Sequence, residues 1–228
     1  MQFANDRSFW YLYTTMEIKY LSHSAFLIKT KDAKVIMDPF DPKIVGLKFS
    51  KQEADVVTIS HAHKDHSYTE LIEGVPLILT WPGQFEKKGI RIWGFSSYHD
   101  KVEGKERGEN VMYKIESEGI SILHCGDLGA MPSEDQIEEI GDVDILLVPV
   151  GGKFALTADE AIHFTKKVEP SIVIPMHYGR PDILIEGLAP LDEFLKKMGG
   201  EQIEPLDKLV VKKEDFAMDI AMRVVVLK

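Results

Sequence analysis

Residues 55–66 read Asp55-Val56-Val57-Thr58-Ile59-Ser60-His61-Ala62-His63-Lys64-Asp65-His66, and this stretch decides how the rest of the chain is read. Its first half is apolar and β-branched, the pattern of a buried strand. Its second half sets three imidazoles and a carboxylate within six residues, a density of ligand chemistry that neither a core nor a solvated turn needs. Side chains in a loop at the end of a buried strand are held rigidly and still reach solvent.

Working outward, strands are expected over 17–21, 25–29, 34–38, 55–60, 77–80, 90–95, 111–117 and 120–125. Ser67 and Glu70 have capping-box spacing, which predicts a short helix after the histidine loop. The second half alternates: a helix opened by Ser133 and ended by Gly141, a buried strand over 144–150, and a helix opened by the capping box Thr157-Ala158-Asp159-Glu160 and running to about 168. A strand over 172–175, a helix over 191–198 stopped by Gly199-Gly200, and closing strands at 210–211 and 222–227 complete it. Strand-rich segments with interspersed helices argue for sheets covered by helices. Residues 1–15 read as an N-terminal extension, open between an edge strand, a loose arm and an upstream addition; 16–228 read as one domain.

The 228 residues are 44% hydrophobic and 28% charged, enough for a large core, and no apolar run approaches the roughly 18–20 residues of a membrane span. Asp6 and Arg7 interrupt the N-terminus, which does not read as a signal peptide. The net charge of −10 argues against nucleic acid as a partner, because such affinity comes from neutralising phosphates. The single cysteine, Cys125, precludes an intrachain disulfide and fits a reducing, cytoplasmic compartment. A homo-oligomer stays open.

A metal site needs ligands from several parts of a fold. His99, Asp127 and His177 each follow an expected strand, which would gather them on one edge. His124 competes with His99, but alternation sets it on one strand face with Ile120 and Ile122 and favours an imidazole that supports the ligands or packs in the core over a direct ligand. His23, between two serines, reads as support for the ligands near Asp38; Asp38 either braces the histidine loop or caps a turn. His163 reads as a structural helix residue. Cys125 reads as a small buried residue, with a thiolate ligand as the alternative.

His61-x-His63-x-Asp65-His66 matches the HxHxDH signature of the metallo-β-lactamase-fold hydrolases. The segments Leu21-Ser22-His23-Ser24-Ala25-Phe26, Met37-Asp38-Pro39-Phe40, His124-Cys125-Gly126-Asp127, Pro149-Val150-Gly151-Gly152-Lys153-Phe154 and Pro175-Met176-His177-Tyr178 resemble their ascorbate-phosphate-lactonase-like branch of metal-dependent hydrolases. The resemblance covers nearly everything after Met16. It implies an α+β fold, a four-layer αββα sandwich. It also implies two divalent ions, Zn2+ first, with Mn2+ or Fe2+ as alternatives. His61, His63 and His99 would hold one, Asp65, His66 and His177 the other, and Asp127 would bridge them. Two dications against Asp65, Asp127 and a hydroxide leave a charge of about +1, suited to an anion or a polarised oxygen.

The chemistry so implied is hydrolysis by a metal-bound hydroxide, whose parent water drops from a pKa of 15.7 to about 7. Asp65 would orient that hydroxide or move a proton. A lactone or ester, phosphorylated or not, is the expected small-molecule substrate; a phosphodiesterase or small nuclease, and a non-catalytic metal-binding module, are the alternatives. Lys153, beside the Gly151-Gly152 turn, and Tyr178 and Arg180, just after His177, are candidate substrate contacts, with a turn and an ordinary surface arginine as the plainer readings.

Overall fold

The structure, a computed structural model, describes residues 15–74, 76–199, 203–216 and 221–228. The N-terminal extension expected over 1–15 lies, except for Thr15, outside them. In chain order the elements are β1 (Met16–Ser22), β2 (Ala25–Lys29), β3 (Lys34–Met37), α1 (Pro42–Val45), β4 (Gln52–Glu53), β5 (Val56–Thr58), β6 (Ile72–Glu73), β7 (Leu77–Leu79), β8 (Gly83–Lys87), β9 (Ile90–Tyr98), β10 (Glu109–Ser117) and β11 (Ile120–His124). They continue with α2 (Glu134–Ile140), β12 (Ile145–Pro149), α3 (Ala158–Val168), β13 (Ile172–Met176), α4 (Leu191–Lys197), β14 (Leu209–Val211), a 3-10 turn (Lys213–Phe216) and β15 (Arg223–Val224).

Two sheets form the body. One runs β14-β1-β2-β3-β5-β7, the other β15-β13-β12-β11-β10-β9-β8. Period-two alternation separates their faces. Phe26, Ile28, Val35, Met37 and Val56 of the first sheet join Ile92, Ile115, Ile122 and Leu146 of the second in one core, whereas Leu27, Ile36 and Val57 point the other way into a smaller cluster. The parallel strands β11, β12 and β13 are buried at every position, as strands covered on both faces must be. Ile140 of α2, Ala161 and Phe164 of α3 and Phe194 of α4 pack on that second sheet. The outer face of the first sheet carries a thinner layer, in which Val45 of α1 packs with Phe40, Leu47 and Phe49. This is the α+β sandwich expected, with unequal outer layers.

Local chemistry explains the boundaries. Ser133 and Thr157 cap α2 and α3 with complete capping boxes. Lys88-Gly89 and Glu118-Gly119 turn β8 into β9 and β10 into β11 with φ of 50° and 75°, and 57° and 76°, the two-residue geometry that matches strand twist. The helix expected after the histidine loop is absent. The Ser67 hydroxyl donates back to the carbonyls of Ala62 and His63 instead of accepting a helix N–H, and Tyr68 N–H donates to Pro39 O. The chain then runs on to β6 beside β4.

Strand direction sets the site. β1, β3 and β5 run the same way, as do β9, β11, β12 and β13, so their C-terminal ends gather on one edge of the sandwich. Two backbone bonds clasp the sheets there: Val111 N–H to Ser60 O at 2.8 Å and His177 N–H to His23 O at 2.9 Å. Ile122 is fully buried in β11 between β10 and β12. Ile122→Ala is expected to cost about 2–5 kcal/mol in urea unfolding with an unchanged slope.

Candidate metal centre

Each candidate ligand stands just past a strand end. His61, His63, Asp65 and His66 follow β5, His99 follows β9, Asp127 follows β11 and His177 follows β13. The structure brings all seven together in two groups. The ligand atoms of His61, His63 and His99 lie within 4.8 Å of one another, as do those of His23, Asp65, His66 and His177. Asp127, 2% exposed, stands between them. Its Oδ2 is 3.4 Å from His99 Nε2, 4.0 Å from His61 Nε2 and 3.1 Å from His177 Nε2, and its Oδ1 is 3.3 Å from His66 Nε2.

Asp38 orders this arrangement from beneath. It is completely buried at the end of β3. Its Oδ1 accepts the Ser60 N–H at 2.8 Å, and its Oδ2 accepts the Ser60 hydroxyl at 2.6 Å. His66 Nδ1 lies 2.8 Å from the same Oδ2. A carboxylate only accepts, so that nitrogen carries a proton, and in the neutral ring Nε2 keeps its lone pair. Burial favours that neutral ring, while Asp127 and Asp38 hold its pKa well above the ordinary value, so a metal binds there in competition with a proton. The Ser60 hydroxyl, already donating to Asp38, accepts from His61 Nδ1 at 2.9 Å, which frees His61 Nε2 in the same way. One carboxylate thus sets two tautomers, the arrangement that orients metal-binding imidazoles.

His23 sits in the turn between β1 and β2. Its Nε2 lies 3.2 Å from Asp65 Oδ2, so it donates to Asp65 rather than to Asp38. His124 has both nitrogens engaged: Nε2 faces Ser24 O at 2.8 Å, and Nδ1 accepts the Gly126 N–H at 3.1 Å. Asn110, unremarked in the sequence, accepts the Asp127 N–H through Oδ1 and donates to Cys125 O and Ser97 Oγ, fixing the loop that carries the central carboxylate. Its signal was a lone amide directly before the apolar run Val111-Met112-Tyr113 of β10.

The donor chemistry fits a metal. His61 Nε2, His66 Nε2 and Asp127 Oδ1 are buried without a hydrogen-bond partner, a state that costs about 1–3 kcal/mol per atom unless something else binds there. Burial lowers His61 to about 3, helped by the neighbouring His66, so it is a neutral imidazole at neutral pH. Burial alone would raise the Asp127 carboxyl, but His177 and His66 beside it hold it well below the usual range. Neutral imidazole and ionised carboxylate are the forms that bind metal.

The candidate substrate contacts differ in placement. Lys153 lies beside the centre, sharing a cavity of about 360 Å³ with His99 and Phe154, and its Nζ donates to Glu186 O. Tyr178 is buried in the core, 6.3 Å from Tyr20 between ring centroids. Arg180 closes on Asp182 through Nε and a terminal nitrogen at 2.9 and 2.8 Å. A larger hollow of about 660 Å³, lined by Arg91, Lys114, Glu116 and Asp144, lies at the opposite ends of β11 and β12.

Asp38→Asn keeps the shape but turns one of its two accepting oxygens into a donor, which opposes either the Ser60 N–H or the Ser60 hydroxyl and His66 Nδ1. Metal affinity is expected to fall about 10–100-fold in competition with a chromogenic chelator, with far-UV dichroism unchanged. A Cβ on Gly151 would stand 2.1 Å from the His177 carbonyl oxygen. Gly151→Ala therefore displaces His177 and is expected to lower bound metal per chain in elemental analysis.

Comparison with known proteins agrees with this geometry. The beta-lactamase superfamily domain matches residues 17–177. A UPF0173 metal-dependent hydrolase of Thermococcus onnurineus is 30% identical over 217 residues, spanning 83% of this chain and 94% of its own length. One of Pyrococcus abyssi is 27% identical over 234 residues, spanning 90% and 100%. A crystal structure from Thermotoga maritima, described as a candidate Zn-dependent hydrolase of the metallo-β-lactamase superfamily, aligns with a TM-score of 0.75 and 31% identity over 93% of this chain and 98% of that one. With the family domain matching most of the chain and the ligand cluster formed, the chain belongs to the metallo-β-lactamase superfamily and is a metal-dependent hydrolase.

Proposed function

We propose that the chain uses two divalent ions, zinc by preference, to hydrolyse a small lactone or ester. The observation that carries this reading is the sharing of one buried carboxylate, Asp127, between two ligand groups. His61, His63 and His99 would hold one ion, Asp65, His66 and His177 the other, and Asp127 both. Imidazole-rich sets with carboxylates also take manganese or iron, so occupancy follows availability. When bound, the ions supply Lewis acidity to the scissile carbonyl and activate water at neutral pH.

The chain's own residues do the rest. Asp65, half-buried and held by His23, would orient the attacking water or pass on its proton. Asp38, through Ser60, keeps His61 and His66 aimed. The 360 Å³ cavity beside His99 suits a small molecule, and Lys153 lines it with its Nζ bonded to Glu186 O. The net charge of −10 weighs against nucleic-acid substrates. No helix among the described residues is long and apolar enough to cross a membrane, and we place the activity in the cytoplasm, where the lone Cys125 stays reduced.

The test is a panel of lactones, esters, amides and phosphodiesters on zinc- and manganese-reconstituted protein, with Asp127→Ala alongside. Turnover of a lactone or ester is expected, together with a loss of at least about 10³-fold in Asp127→Ala and reduced metal content. A wild type that binds metal yet cleaves nothing in the panel contradicts the proposal.

A further inference from the structure

The loop between β9 and β10 opens directly after His99, and its neighbour Asp100 organises it. The two Asp100 carboxylate oxygens accept four backbone N–H groups, from Val102 and Gly104 on one side and Glu106 and Arg107 on the other, at 2.8 to 3.0 Å. Those bonds leave Asp100 no free lone pair for substrate or metal. They fix where Arg107 stands relative to His99. His99 N–H donates to Gly108 O across the same loop and closes it.

Arg107 projects over Phe154, its guanidinium carbon 4.4 Å from the ring centroid. Both residues line the 360 Å³ cavity into which His99 also faces. The other charged groups there are engaged or peripheral. Lys101 pairs with Glu160, Glu106 is exposed at the rim, and Lys153, whose Nζ also lies 4.7 Å from the Phe154 centroid, donates to the Glu186 carbonyl. Elsewhere Arg91 and Arg180 each close on a carboxylate. Arg107 has no carboxylate partner among the described residues. Its planar fork of donors is therefore held, half-buried and flanked by an aromatic ring, beside the ligand cluster.

We propose that Arg107 binds an anionic group of the substrate, a carboxylate or phosphate lying on the far side of the cavity from the scissile bond. The arginine fork meets two oxygens of such a group at once, and Phe154 braces the guanidinium and covers the apolar linker. The substrate class is then a small lactone or ester bearing a remote oxoanion. This deepens the hydrolase reading and rests on it for the position of the scissile bond.

Binding tests it without turnover. Zinc-reconstituted protein is titrated calorimetrically with butyrate, with linear dicarboxylates of three to six carbons, and with ω-phosphonocarboxylates of the same lengths. Every probe offers one carboxylate to the ions; only the last two series offer a second anion to Arg107. In the wild type at least one two-headed probe is expected to bind about ten-fold or more tightly than butyrate, and the series that gains identifies the group. Arg107→Ala, which keeps the backbone N–H that Asp100 holds, is expected to bring that ratio close to one; Arg107→Lys is expected to retain part of it. A wild type without preference, or an Arg107→Ala ratio equal to the wild type's, overturns the proposal. Because this readout needs no hydrolysis, its failure is separable from failure of the substrate panel.

Discussion

An apolar sandwich that buries a carboxylate such as Asp127 among imidazoles must compensate for removing charge from water, a cost of several kcal/mol per ion before pairing. Everything around the site follows from that constraint. Asp127 draws the Nε2 atoms of His66, His99 and His177 to within 3.4 Å, and Asp38 takes up the donors of Ser60 and His66. Among the buried atoms left without a hydrogen-bond partner are three at the centre, His61 Nε2, His66 Nε2 and Asp127 Oδ1. A cation there completes the hydrogen-bonding account that the protein leaves open.

The backbone carries the same signature. Ser22, His23, Asp38, Lys153 and His177 all have φ between 43° and 90°, outside the range side chains other than glycine prefer. Each such residue costs on the order of 1–3 kcal/mol, and such strain collects where geometry serves a site. Here it turns the chain sharply at the ends of β1, β3 and β13, so that side chains on the strand ends aim inward rather than along the sheet. The two clasps between the sheets, one of them from His177 to His23, hold those turns against relaxation.

Much of this was legible in the residues. The Val56–Ser60 run and the histidine loop marked a strand and its functional end, and the capping boxes at Ser133 and Thr157 placed two helices. The third capping-box spacing, at Ser67, misled because a hydroxyl that can cap a helix can equally bond backward to carbonyls, and tertiary pairing decided between them. β8 escaped notice because Gly83-Gln84-Phe85-Glu86-Lys87 is mostly polar and exposed at a sheet edge; its signal was the Lys88-Gly89 turn. The partner of His23 was not readable either. Asp38 and Asp65 are both near in the fold, and only the turn geometry directs its Nε2 to Asp65. Arg107 lay in a charged loop with no pattern to distinguish it until Asp100 and Phe154 were seen beside it.

The central claim is that one carboxylate joins two ligand groups into a two-ion site. A stepwise zinc titration of metal-free protein, followed calorimetrically for the wild type, His63→Ala and His177→Ala, tests it most directly. The account predicts two equivalents per chain in the wild type and one remaining tight equivalent in each variant, lost from opposite halves of the site. A wild type that saturates at one equivalent, or two variants that abolish the same single binding event, would contradict it.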